Sequence, residues 1–132
     1  MVINIGWLKS GLYDSVANEI VVIKKACGDK LLKVIVETGY LTEDEIRRVT
    51  DVVDFAGADY IKTSTGFGPR GASLRDVELF RERSQRLKIK AAGGVRDHES
   101  ALKYIQMGVS RIGTSTGMVL INKDATKPPG SY

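Results

Sequence analysis

Short β-branched runs alternating with helical patterns place this 132-residue chain in the α/β class, with a parallel sheet. Two observations carry that expectation. Five apolar runs, at residues 2–5, 32–36, 60–62, 88–91 and 111–114, each lead into glycines, hydroxyls or a carboxylate. The four segments between them hold apolar residues at helical spacing.

Taken in order, residues 2–5 are β-branched and closed by Gly6, and read as a first buried strand. Residues 8–11 read as loop. A helix follows, with Asp14 or Ser15 as its cap and Val16, Ile20, Ile23 and Cys27 on one face, and Gly28 stops it. Residues 32–36 form the second strand, with Glu37, Thr38 and Gly39 at its end. Thr42 and Glu45 make a capping box that Leu41 and Ile46 staple, and Ile46, Val49, Val53 and Ala56 give the next helix its inner face.

The third strand, Tyr60-Ile61-Lys62, opens into the glycine-rich loop 66–71. Ser73 and Asp76 start a third helix with Leu74, Val77 and Phe80 inward. Residues 88–91 are the fourth strand and run into Gly93-Gly94. Asp97 caps a fourth helix with Ala101, Leu102 and Ile105 inside, and residues 111–114 are the fifth strand. From 122 to 132 the chain, with Pro128-Pro129-Gly130, reads as a flexible tail, so that residues 1–121 make one domain.

An internal echo supports a barrel. Residues 57–66 (GADYIKTSTG) and 108–117 (GVSRIGTSTG) match at the glycines, the isoleucine and Thr-Ser-Thr-Gly. Lys62 in the first unit is replaced by Gly113 in the second.

Composition bounds the function classes. Apolar and charged fractions of 42% and 27% are those of a soluble globular protein, and no apolar run nears the ~20 residues of a membrane span. A cytoplasmic location is the expectation. One cysteine and one histidine give no metal cluster, so neither metal nor cofactor is expected. The net charge of +4 is scattered rather than gathered on a basic face, which argues against nucleic acid and suits a small anionic substrate.

In barrels the site lies at the C-terminal strand ends, where Glu37, Lys62, Lys90, Gly93-Gly94 and Thr114-Ser115 fall. A strand lysine is most simply a residue snorkelling to solvent. Here Lys62 and Lys90 share strand parity. On neighbouring strands ~4.8 Å apart, their like charges would hold one amine neutral, as imine formation requires. Glycine pairs and the Gly113–Gly117 loop offer N–H groups and hydroxyls to an anion, though they also make ordinary tight turns. Trp7 reads as a packing residue and His98 as a surface helix residue.

The stretches VINIGWLKSG, LKVIVETGYLT, AGADYIKTSTGFGP, KAAGGVR and RIGTSTG, in that order, resemble the deoxyribose-phosphate aldolase family from the first residues to about 121. The resemblance implies a lysine-imine aldolase that cleaves 2-deoxy-D-ribose 5-phosphate to D-glyceraldehyde 3-phosphate and acetaldehyde. It makes Lys62 the Schiff-base residue and Lys90 the neighbour that lowers its pKa and moves protons. It gives the substrate phosphate to Gly93, Gly94, Gly113, Ser115 and Thr116, and makes Tyr132 the counterpart of a tail tyrosine that reaches the site. The family's barrel is a TIM-type (β/α)8 barrel of eight strands, of which about five are expected here, so the resemblance implies a partial (β/α)8 barrel with its N-terminal strands missing. The family's catalytic aspartate would stand one position before Met1, so a truncated aldolase chain with the imine half of the site intact is the expectation. A homo-oligomer that covers the open sheet is expected too. A non-catalytic phosphosugar-binding or self-assembling half-barrel is the alternative.

Overall fold

The computed structural model describes residues 1–121. Four parallel strands, β1 (Lys33–Ile35), β2 (Tyr60–Lys62), β3 (Lys88–Ala92) and β4 (Arg111–Gly113), lie side by side in sequence order. The helices are α1 (Ile5–Lys9), α2 (Tyr13–Cys27), α3 (Glu43–Phe55), α4 (Leu74–Arg83), α5 (His98–Gln106) and α6 (Gly117–Ile121), and a 3₁₀ turn spans Thr38–Tyr40. An open parallel sheet with crossover helices is an arc of the expected barrel.

Strand parity decides the two faces. Val34, Ile61, Ile89 and Ala91 point to the helices and are fully buried with Ile46, Val49, Val53, Val77, Leu79 and Phe80. The register Lys33↔Tyr60↔Lys88, with Lys62↔Lys90↔Arg111 above it, puts the alternate residues on the other, concave face. That face is basic: Lys33, Lys88 and Arg111 reach over the ring of Tyr60, at 5.9, 5.9 and 4.8 Å from its centre. Among the described residues, none of Lys33, Lys62, Lys88, Lys90 and Arg111 is in a salt bridge. The outer layer is the reverse. There Arg47, Arg75 and Arg83 clasp Glu43, Glu82 and Asp51 on α3 and α4, and Arg86 after α4 holds Asp54 of α3.

The first strand is a correction. Only Val2 bridges to Ile35, with Ile3 N–H donating to Ile35 O (3.0 Å) and Ile35 N–H to Met1 O (2.9 Å). The side chain of Asn4 accepts from Trp7 N–H (3.0 Å) and turns the chain into α1 where loop was expected. Trp7 is consequently 39% exposed rather than packed. Helix α2 begins at Tyr13 after Leu12, with no side-chain cap, so neither Asp14 nor Ser15 caps it.

Both capping boxes form, at Thr42/Glu45 and Ser73/Asp76, and Asp97 caps α5 through Ser100 N–H. The inner face of α5 differs from the expectation. Ala101 and Tyr104 are buried while Leu102 and Ile105 are exposed, on a side where no further strand is described beside β4. On α4, Leu79 takes the buried place expected of Leu74. Helix α6 was not expected at all. Its Leu120 carbonyl lies 2.8 Å from His98 Nδ1, which makes His98 half-buried.

Candidate active site

Lys62 ends β2 and Lys90 lies in β3, opposite one another in the parallel register, which is the pairing that their common parity implied. Both line a cleft of about 340 Å³ at the C-terminal ends of the strands, with Gly93, Gly94, Gly113 and Ser115 around it. The expected imine pair and the expected phosphate positions other than Thr116 therefore meet at one place. Thr116 lies beside the cleft and not in its wall. Its hydroxyl is engaged with Thr114 Oγ1 (3.1 Å) and Arg96 O (3.5 Å), and its N–H with Thr114 Oγ1 (3.0 Å). Tyr132 lies outside the described residues.

Burial pushes the Lys62 ammonium below the ordinary lysine range, because an amine removed from water favours its neutral form. The Lys90 charge pushes in the same direction, Glu37 opposes it, and Lys33 adds to the depression. A lowered amine keeps a larger neutral fraction at neutral pH and is the better nucleophile toward a carbonyl.

Glycines shape the cleft. A Cβ on Gly113 would stand 2.9 Å from Ala92 Cβ and 3.2 Å from Lys90 Cε, so the bare backbone of β4 leaves the space that the Lys90 stem occupies. This is the physical content of the internal echo, in which glycine stands in the second unit where lysine stands in the first. A Cβ on Gly71 would stand 2.2 Å from Gly93 O, so the loop before α4 crosses directly over the end of β3. Ala72 N–H secures that crossing on Ala92 O and Gly93 O. Gly93 and Gly94 both have positive φ, 84° and 80°, which only glycine adopts freely.

A buried polar network holds the loop from the other side. The Asp76 carboxylate, 1% exposed, receives Arg70 at 2.7 and 2.9 Å, the Thr38 hydroxyl at 2.9 Å and Ser73 N–H at 3.0 Å. Two residues of the site, Arg96 and Thr65, escape sequence reasoning, whereas Glu37 is one of the expected strand-end groups. Among the described residues, Arg96 is the one cation besides the two lysines in the cleft wall, two residues beyond the glycine pair. Thr65, also in the wall, donates its N–H and hydroxyl to Glu37, which is 3% exposed. The arrangement sets an amine of lowered basicity beside a rim of glycines and hydroxyls. Among the described residues, no group of three or more metal-ligating side chains occurs.

Known proteins share the sequence and the fold of this chain. The model of the DeoC/LacD family aldolases matches residues 1–124. A deoxyribose-phosphate aldolase of Clostridioides difficile (strain 630) is 49% identical over 128 residues, covering 96% of this chain and 58% of that protein. The solved structure of the aldolase QR15 superposes with a TM-score of 0.85 at 46% identity, over 90% of this chain and 54% of that one. The tetrameric deoxyribose phosphate aldolase of Aeropyrum pernix gives 0.76 at 27% identity, over 83% of this chain and 48% of that one. The chain thus spans a little over half the length of the curated relative it matches.

Proposed function

The chain belongs to the DeoC/LacD aldolase family, and we propose that its cleft carries out lysine-imine chemistry on 2-deoxy-D-ribose 5-phosphate, releasing D-glyceraldehyde 3-phosphate and acetaldehyde. The observation that supports this reading most directly is the in-register pair Lys62 and Lys90 inside one cleft, with Lys62 held below the usual lysine range.

The neutral Lys62 amine adds to the C1 aldehyde and water leaves, which gives a protonated imine. Loss of the C3 hydroxyl proton lets the C2–C3 bonding electrons move into the imine. Glyceraldehyde 3-phosphate departs and an enamine remains on Lys62. Protonation at C2 and hydrolysis return acetaldehyde and the free amine. Lys90, opposite Lys62 in the register, passes these protons. No carboxylate lines the cleft among the described residues. Gly93, Gly94, Gly113 and Ser115 offer N–H groups and a hydroxyl to the phosphate, with Thr116 bracing the Thr114–Ser115 turn and Arg96 adding charge.

The same reading takes residues 1–121 as one aldolase unit in the cytoplasm, acting on a small phosphorylated sugar without nucleic acid or membrane partners, and self-associating. Among the described residues, no helix is long and apolar enough to cross a membrane. Sedimentation of the purified chain measures the last point, and a monomer at all concentrations would remove it.

The test of the chemistry is reductive trapping. With acetaldehyde and borohydride, peptide mapping is expected to find the ethyl adduct on Lys62, and Lys62→Met is expected to abolish it. An adduct distributed over surface lysines, with none on Lys62, would overturn the proposal.

A further inference from the structure

Glu37 is the one described residue other than glycine with a positive φ, at 55°. Such a conformation is disfavoured for a side chain with a Cβ and persists only where the surroundings impose it. Here they do. The backbone on either side is tied to β2, with Val36 N–H donating to Lys62 O (3.1 Å) and Thr38 N–H to Thr63 O (2.9 Å). The side chain is then aimed under the loop that follows β2. Thr65 N–H donates to both carboxylate oxygens, at 3.1 and 3.3 Å, and the Thr65 hydroxyl to Oε2. Phe67 N–H donates in turn to Thr65 Oγ1 (3.1 Å). Gly68 leaves room for the carboxylate, because a Cβ there would stand 2.8 Å from Glu37 Oε1.

From this geometry we infer that Glu37 is a positioning residue of the cleft: its buried carboxylate fixes the turn that brings Thr65 and Gly66 into the cleft wall and is the negative charge set against Lys62. The inference deepens the aldolase reading and rests on it for the chemistry, but not for the electrostatics. The charged groups around Lys62 are Lys90 from β3, Lys33 from β1 and Glu37 after β1, and Glu37 is the only anion of the three. Two cations and burial lower the amine, and Glu37 opposes them. Without that opposing charge Lys62 would titrate lower still. A carboxylate that only stapled a turn would have no such signature.

Competitive acetylation of the whole chain as a function of pH, read peptide by peptide, gives the titration midpoint of Lys62 whether or not the chain is an aldolase. Lys30, with its side chain 80% exposed, is the internal reference. In Glu37→Gln the Lys62 midpoint is expected to fall, because the charge that opposes the depression is gone, while Lys30 stays in place. Glu37→Asp, which draws the charge back by a methylene, moves the midpoint the same way by less. It also serves if the glutamine variant does not fold. Thr65→Val keeps the charge and loses the hydroxyl, and leaves the midpoint where wild type has it.

An unmoved midpoint in both Glu37 variants overturns the inference, as does an equal shift in all three, which would signify general loosening of the cleft. Acetaldehyde trapping on the same samples separates the two readings. A shifted midpoint with no Lys62 adduct removes the aldolase reading and leaves Glu37's role standing. Adducts with an unmoved midpoint do the opposite.

Discussion

Lys62 and Lys90 show how far two residues can be read from their neighbours in sequence. Their parity on successive strands was legible because a parallel strand alternates its side chains strictly, and parallel register then forces the pair together. The charge of Lys90 helps to lower Lys62, so its removal must raise Lys62. Lys90→Met is accordingly expected to move the pH midpoint of trapping upward. Trapping at neutral pH slows with it, by about tenfold for every pH unit that the midpoint climbs. An unchanged profile would show that burial alone sets the amine. Gly113→Ala tests the space for Lys90. The added methyl meets Ala92 Cβ at 2.9 Å and the Lys90 stem at 3.2 Å. Overpacking of this kind costs about 1–3 kcal/mol, so a lower melting temperature together with slower turnover is expected. Glu37 was legible as a strand-end carboxylate, but its link to Thr65 and the place of Arg96 in the cleft wall were not. The link between Glu37 and Thr65 is 28 residues long in sequence and depends on a left-handed turn, for which Glu-Thr-Gly carries no local signal.

At the scale of elements, capping chemistry was the most transferable signal. The boxes at Thr42 and Ser73 and the cap at Asp97 are local, since each satisfies N–H groups within its own first turn. Thr42→Ala should cost about 1 kcal/mol and lower the thermal midpoint by a few degrees, which calorimetry measures. The same locality misled at the first strand. Residues 2–5 are β-branched enough for a strand, but Asn4 accepts from Trp7 N–H and the helix wins after a single bridge. The faces of α5 and α4 were misjudged at Leu102, Ile105 and Leu74 because which apolar residues are covered depends on neighbours, and periodicity does not report neighbours. The clasp between α3 and α4 adds an acid-sensitive joint. Hydrogen bonding to Arg75 holds Glu43 down to about 2, and its contribution is present above the ordinary glutamate range and fades as pH falls from there toward 2.

For the whole molecule, the distribution of charge separates two surfaces that composition merged into a net +4. The outer layer pairs its arginines, whereas the concave face carries Lys33, Lys62, Lys88, Lys90 and Arg111 without a salt bridge among the described residues. Equivalent substitutions should therefore have opposite signs. Lys88→Gln is expected to stabilise the fold slightly at low ionic strength, by no more than about 0.5 kcal/mol, with the gain fading in salt as the repulsion is screened. Arg75→Gln is expected to destabilise it, since Glu43, Glu78 and Glu82 lose their common partner. Thermal denaturation at low and high salt reads both.

The basic concave face also acts as an admission rule. Two copies brought together through it would confine the lysine and arginine charges of both in one interior, so the chain discourages its own image there even though parallel edges invite pairing. Whatever enters the concavity, a ligand or a neighbouring strand, meets that positive charge and is favoured if it brings negative charge with it.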